Sequence, residues 1–72
     1  MRESCAFLVG NREVKLCGCI GVEKYALDEI VLDMTDMRVA IKGNALMIST
    51  FRNGEISVAG AIEGVLLMRK GR

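Results

Sequence analysis

Hydrophobic and polar side chains alternate along much of the chain with a period of two. The alternation is clearest in segments 14–16, 30–34, 37–42 and 56–58. A period of two places apolar side chains on one face of a β-strand, and turn residues recur between these segments. The pattern predicts an all-β domain, a small meander of about seven or eight short antiparallel strands in a sandwich-like or roll-like arrangement.

Segment 21–34 permits two interpretations. Val22, Tyr25 and Ile30 would share one side of an amphipathic helix. The stretch from Ile30 to Met34 alternates and carries β-branched residues, which favours a strand. We therefore predict two strands that are broken at residues 26–28.

A turn at Thr35 and Asp36 predicts the central hairpin. The inner face of this hairpin pairs only apolar residues: Ile30 with Ile41, Leu32 with Val39, and Met34 with Met37. Its outer face pairs opposite charges: Asp33 with Arg38, and Glu29 with Lys42. Because both faces are consistent with one register, we predict that register and expect ion pairs across the strands.

Two further turns predict hairpins on either side of the central one. A two-residue turn at Gly10 and Asn11 sets Cys5 opposite Leu16 and Phe7 opposite Val14. At Asn53–Gly54, one extra residue beyond a two-residue turn is needed to bring apolar residues face to face. We expect a bulged turn there, with these pairs: Ile48 with Val58, and Thr50 with Ile56.

The pattern apolar-x-apolar-x-Gly occurs three times and ends at Gly18, Gly43 and Gly60. Glycine at the end of a strand permits a sharp bend or a close backbone approach. We predict that the sheet turns a corner at each of these three glycines.

Length and composition limit the possible functions. The chain has 72 residues, so we expect a single domain over 1–72, with a core from about 5 to 68 and a basic tail at 69–72. The net charge of +1 argues against a broad basic surface for nucleic acid. The chain contains no histidine, the commonest general base, so we expect no enzymatic activity and no catalytic residues. We also expect neither a signal peptide nor a membrane span.

The cysteines at positions 5, 17 and 19 are interpreted as reduced thiols that act as small hydrophobic residues. Zinc sites in proteins usually have four ligands, and no second pair of ligands accompanies Cys17 and Cys19. We therefore expect no metal site and no cofactor. A disulfide between Cys17 and Cys19 is also not expected, because they are i, i+2 neighbours on one strand.

The order and spacing of these strands and glycines resemble the YabP/YqfC family of sporulation proteins. The resemblance runs from about Cys5 to Leu67 and is carried by these segments: 7–14, 21–25, 29–32, 39–48 and 54–62. It implies a non-enzymatic protein with a structural or interaction role in assembly of the spore envelope, coat or cortex. It further implies the cytoplasm of the mother cell, peripheral at the forespore membrane. The alternative is a small regulatory or nucleic-acid-binding β domain.

Self-association is expected because a sheet of this size cannot cover two apolar faces with one thin layer. We predict a homo-oligomer, or docking on a sporulation membrane protein, through sheet edges or one outer face. We expect no nucleic acid and no small-molecule substrate as partners. The residues predicted for this interaction face are Val31, Ala40, Met47, Phe51 and Ala59.

Overall fold

The computed structural model describes residues 5–69 and shows an all-β protein. The six strands are β1 (Cys5–Val9), β2 (Glu13–Cys17), β3 (Cys19–Tyr25), β4 (Glu29–Met34), β5 (Met37–Arg52) and β6 (Glu55–Arg69). They form one antiparallel sheet in the order β1-β2-β6-β5-β4-β3. The all-β prediction is confirmed. Residues 5–69 contain six strands, fewer than expected, because β5 and β6 continue through their bends. The order departs from a simple meander because β2 pairs with β6.

Bends in β5 and β6 divide the sheet into two halves. Half-sheet A consists of β1, β2, residues 55–59 of β6 and residues 47–52 of β5. Half-sheet B consists of β3, β4, residues 37–42 of β5 and residues 64–69 of β6. Buried side chains from both halves form a single hydrophobic cluster: Val14, Leu16, Cys19, Ile30, Leu32, Met34, Val39, Ile41, Leu46, Ile56, Val58 and Ile62. The two halves therefore share one core, and each has an inner face toward it and an outer face toward solvent.

The glycine corners were predicted correctly. Gly18, with φ of +83°, joins β2 to β3, and its carbonyl oxygen accepts a hydrogen bond from the Thr35 amide at 3.0 Å. At the other two corners the backbones approach closely. A Cβ at Gly43 would overlap the Ala61 carbonyl oxygen, and Gly60 has φ of +138°. Only glycine fits these positions without displacing backbone atoms.

Two hairpin turns supply hydrogen bonds to the bent strands. The carbonyl oxygens of Asn11 and Arg12 accept bonds from the amides of Ile62 and Gly60, at 2.8 and 3.0 Å. On the other hairpin, the Leu27 carbonyl oxygen accepts a bond from the Leu46 amide at 2.8 Å. These bonds satisfy backbone groups that lose their ladder partners where the strands bend.

The central hairpin has the predicted register, and the break at residues 26–28 is confirmed. Glu29 pairs with Lys42 and Asp33 with Arg38 along the backbone. Ala40 is also buried, although it lies on the outer face, because its strand neighbours Val31 and Leu66 cover its single methyl group.

The first hairpin differs from the prediction by one residue. The loop spans three residues, 10–12, so Cys5 lies opposite Cys17 and Phe7 lies opposite Lys15. A slip of one residue moves every side chain of a strand to the opposite face of the sheet. Phe7 therefore lies on the outer face of half-sheet A.

The third hairpin has the predicted extra residue at a different position. Asn53 and Gly54 both have positive φ and form a two-residue turn. The extra residue is Ser49, where the register shifts between Ile48 and Thr50. The pairing of Ile48 with Val58 is confirmed. The pairing of Thr50 with Ile56 is wrong, because Phe51 lies opposite Ile56.

Candidate interaction surface

The residues predicted to form one interaction face are distributed over three places. Met47 and Ala59 are paired on the outer face of half-sheet A. Val31 and Ala40 are paired on the outer face of half-sheet B, where Ala40 is buried. Phe51 lies opposite the core residue Ile56 and therefore on the inner side of half-sheet A, near the rim. The structure does not bring these five residues together.

Several large apolar side chains that the sequence interpretation missed are exposed on β1. Phe7 is 63% exposed, Leu8 58% and Val9 50%. β1 is the outermost strand of half-sheet A and pairs only with β2 within residues 5–69. The sequence did carry a signal for this exposure. All five residues of β1 are apolar, whereas apolar and polar residues normally alternate in a strand with one buried face.

The other outermost strand, β3, has a different character. Its pairing with β4 shifts register twice, between Cys19 and Gly21 and between Val22 and Lys24. It also carries two adjacent charged residues, Glu23 and Lys24. Bulges and charges are the features with which natural sheet edges resist pairing with another strand.

Tyr25, at the end of β3, contacts the second half of β5. Its hydroxyl oxygen accepts a hydrogen bond from the Ile48 amide at 2.9 Å. This bond uses a backbone donor of residues 47–52 of β5, which pair with β6 through the strand ladder. The β3 edge and that part of β5 are thus partly occupied by contacts within the molecule.

Ion pairs on half-sheet B differ in part from those predicted. Arg38 binds Glu23 at 3.0 Å. Glu29 binds Lys24 at 2.8 Å and reaches Lys42 only at 3.9 Å. Sequence reasoning missed Glu23 and Lys24 because the bulges in β3 determine where these side chains lie.

The pair of Lys24 and Glu29 shifts both pKa values. The hydrogen bond from Lys24 holds the pKa of Glu29 below its ordinary value of 4.5. The same hydrogen bond raises the pKa of Lys24 above 10.5. The pair therefore stabilises the fold most between these two pH values. Its contribution is lost as pH falls through the folded pKa of Glu29 or rises through that of Lys24.

We predict that Glu29→Gln returns the pKa of Lys24 toward its ordinary value, because the hydrogen-bonded carboxylate is removed. Titration of the Lys24 side chain followed by NMR measures this change. Glu23→Gln is the matched control, since Glu23 binds Arg38 instead. If the pKa of Lys24 fell equally in both variants, the pairing of Lys24 with Glu29 would be contradicted.

The cysteines depart from the expectation of three reduced thiols. Cys5 and Cys17 form a disulfide across the first hairpin, with their Cα atoms 5.0 Å apart. Cys19 is a free, buried thiol whose pKa is raised by burial. The disulfide leaves neither Cys5 nor Cys17 available as a thiolate ligand, and residues 5–69 contain no cluster of three acidic or cysteine side chains that could hold a metal ion. The absence of a zinc site remains a prediction, which metal analysis of the purified protein would test.

A surface cavity of about 350 Å³ lies beside the disulfide on the outer face of half-sheet A. Phe7, Lys15, Thr50, Arg52 and Glu55 contribute to its walls. It is shallow, and its walls carry both polar and apolar side chains, unlike the largely enclosed apolar pockets that bind small molecules. Phe7 makes this cavity continuous with the apolar β1 edge.

The family model that matches this chain is that of the YabP family, over residues 2–72. The chain belongs to the YabP family. This confirms the resemblance found in the sequence, and membership is consistent with a sporulation-related protein. A search of curated proteins found no match.

Between Cys5 and Arg69 no helix occurs that is long and apolar enough to cross a membrane. Residues 70–72 of the predicted basic tail lie outside the described residues.

Proposed function

We propose that this YabP-family protein is a non-enzymatic interaction module that acts in assembly of the spore envelope, coat or cortex. The observation that carries the proposal is the amount of exposed apolar side chain outside the core. Between Cys5 and Arg69, twelve large hydrophobic residues are exposed, and three of them follow one another on β1. Contiguous exposed apolar surface on a small domain is typical of a protein-protein contact.

The distribution of charge supports a protein partner over nucleic acid. The basic side chains Lys24, Arg38 and Lys42 on half-sheet B each lie beside a carboxylate. Nucleic-acid surfaces need unneutralised, clustered lysines and arginines to displace counterions from phosphates. A homo-oligomer, or a complex with a sporulation membrane protein, is therefore favoured over a regulatory nucleic-acid-binding domain.

The proposed location is the cytoplasm of the mother cell, peripheral at the forespore membrane. The exposed residues Leu66, Leu67 and Met68 lie near the end of β6, beside the predicted basic tail. A basic segment next to apolar side chains is suited to the anionic surface of a membrane or to a protein embedded in it.

Deletion of the gene in its endospore-forming host tests this proposal. We expect fewer heat-resistant spores with unchanged vegetative growth, and we expect a fluorescent fusion to surround the forespore. Re-expression of the intact chain is the control. Normal spore resistance in the deletion strain, or a growth defect without any sporulation defect, would contradict the proposal. Nucleic acid that co-purifies with the intact chain through high salt would favour the alternative function.

A further inference from the structure

We propose that the β1 edge, residues 5–9, is the site at which a second copy of this chain adds its own β1 as an antiparallel strand. The inference rests on the proposed interaction function and specifies its surface and occupant. β1 is regular, and its five residues pair with β2 without a register shift. An outermost strand directs alternate backbone N–H and C=O groups away from its neighbour, where they can pair with another strand.

The composition of β1 favours pairing with a copy of itself. The strand contains no charged residue, no proline and no glycine. Two copies of it can therefore approach without repulsion between like charges. The nearest charge in the same row is Lys15, opposite Phe7. Across the new interface, the two copies of Lys15 would be separated by three strand spacings, about 14 Å, which exceeds the screening length of about 8 Å at physiological salt.

The register of the proposed pairing is the one in which all five residues of the two β1 strands overlap. Antiparallel alignment of all five residues sets Phe7 opposite Phe7 of the second copy, Ala6 opposite Leu8, and Cys5 opposite Val9. This arrangement is isologous, because the same patch contacts itself across a two-fold axis. It buries the exposed rings of both Phe7 residues against each other, a favourable cross-strand pair. On the inner side, each Leu8 would extend the apolar core across the interface.

The small size of this edge determines the expected strength. Five residues per copy bury less than the roughly 800 Å² per partner of a standard stable interface. We therefore expect a dimer that forms in the micromolar range and dissociates on dilution. A different partner with a longer strand would bind more tightly through the same backbone groups. If only such a partner used this edge, the wild-type chain would stay monomeric in the experiment below.

The test compares two lysine substitutions at equally exposed positions. Phe7 on β1 and Ile20 on β3 are both 63% exposed. Sedimentation velocity over micromolar to near-millimolar concentrations should show a monomer–dimer equilibrium for the wild-type chain. Phe7→Lys should raise the dissociation constant by about 100-fold or more, since symmetry places the charge on both sides. Ile20→Lys should change it by no more than about twofold, since β3 is not used.

Hydrogen exchange of the wild-type chain gives a readout that depends on no substitution. The amides of residues 5–9 should gain protection as concentration rises, while those of β3 should not. A wild-type chain that stays monomeric, with β1 amides equally exposed at all concentrations, overturns the proposal, because it rules out a second copy as the occupant of this edge. The proposal is also overturned if Ile20→Lys or Leu66→Lys dissociates the dimer and Phe7→Lys leaves it intact. If gene deletion still lowers heat-resistant spore numbers in either case, the proposed function stands and only the edge assignment fails.

Discussion

Gly43→Ala is expected to lower the free energy of unfolding by about 3 kcal/mol or more. A Cβ at this position would overlap the carbonyl oxygen and approach the carbonyl carbon of Ala61, and it would also crowd Leu46. The Ala61 contacts are backbone atoms in a paired strand, so no side-chain rotation can relieve the overlap. A domain of this length has a total stability of roughly 4–10 kcal/mol, so the loss removes a large part of it.

Gly64→Ala is the matched control. Gly64 lies in the same strand pair, opposite Lys42, and a Cβ there meets nothing within 4 Å. We expect this substitution to be neutral or stabilising by about 0.5 kcal/mol, because alanine restricts the unfolded chain. Urea unfolding followed by circular dichroism measures both variants. Equal stabilities for Gly43→Ala and Gly64→Ala would show that the corner is not closely packed.

The prediction of these corners shows which sequence signals were informative. Gly43 and Gly60 ended alternating apolar segments, and a strand that loses its side chain at such a point is suited to a bend. The central hairpin was also predictable, since its inner face had to be apolar and its outer face carried opposite charges. A shift by one residue would have violated both requirements simultaneously, so only one register remained.

The first hairpin could not be predicted in the same way. Because every residue from Cys5 to Val9 is apolar, either register places apolar side chains opposite β2. Gly10, with φ of +62°, is compatible with a two-residue or a three-residue loop. The absence of alternation, which removed the register signal, is also the property that leaves β1 as an apolar edge.

One bulge separates Phe51 from Met47, with which it was predicted to share a face. Met47 and Phe51 are four residues apart, so strict alternation places them on the same face. Ser49 is an extra residue between them and reverses the alternation, which moves Phe51 to the inner side. The register arithmetic required one extra residue in this hairpin, but no sequence feature distinguished Ser49 from the turn as its position.

Reduction of the Cys5–Cys17 disulfide is expected to lower the free energy of unfolding by about 3 kcal/mol. The two residues are separated by 12 positions, and a closed loop of this length restricts the unfolded chain by about that amount. The bond also joins the outermost strand β1 to β2 at Cys5, the first residue of β1. Urea unfolding with and without dithiothreitol measures the difference, and alkylation followed by mass spectrometry counts the free thiols.

The double variant Cys5→Ser, Cys17→Ser separates loss of the bond from other effects of the reductant. Both cysteines are only partly buried, so serine is tolerated at either position. We expect the variant to have the stability of the reduced chain and to be insensitive to dithiothreitol. Alkylation of three thiols in protein that is unfolded without reductant, together with an unfolding midpoint that reductant does not change, would contradict the disulfide.

The redox state of Cys5 and Cys17 depends on where in the cell the protein is located. Glutathione and thioredoxin keep cytosolic thiols reduced, so a chain in the cytoplasm of the mother cell would have the lower stability of the dithiol form. The intact bond would accumulate only in a more oxidising place, such as the maturing spore envelope. We therefore expect alkylation of sporulating cells to find Cys5 and Cys17 reduced in cytosolic extract and oxidised in the envelope fraction. Cys19, which is buried and unbridged, should be a free thiol in both. Reduced Cys5 and Cys17 in both fractions would show that the disulfide has no role in envelope assembly.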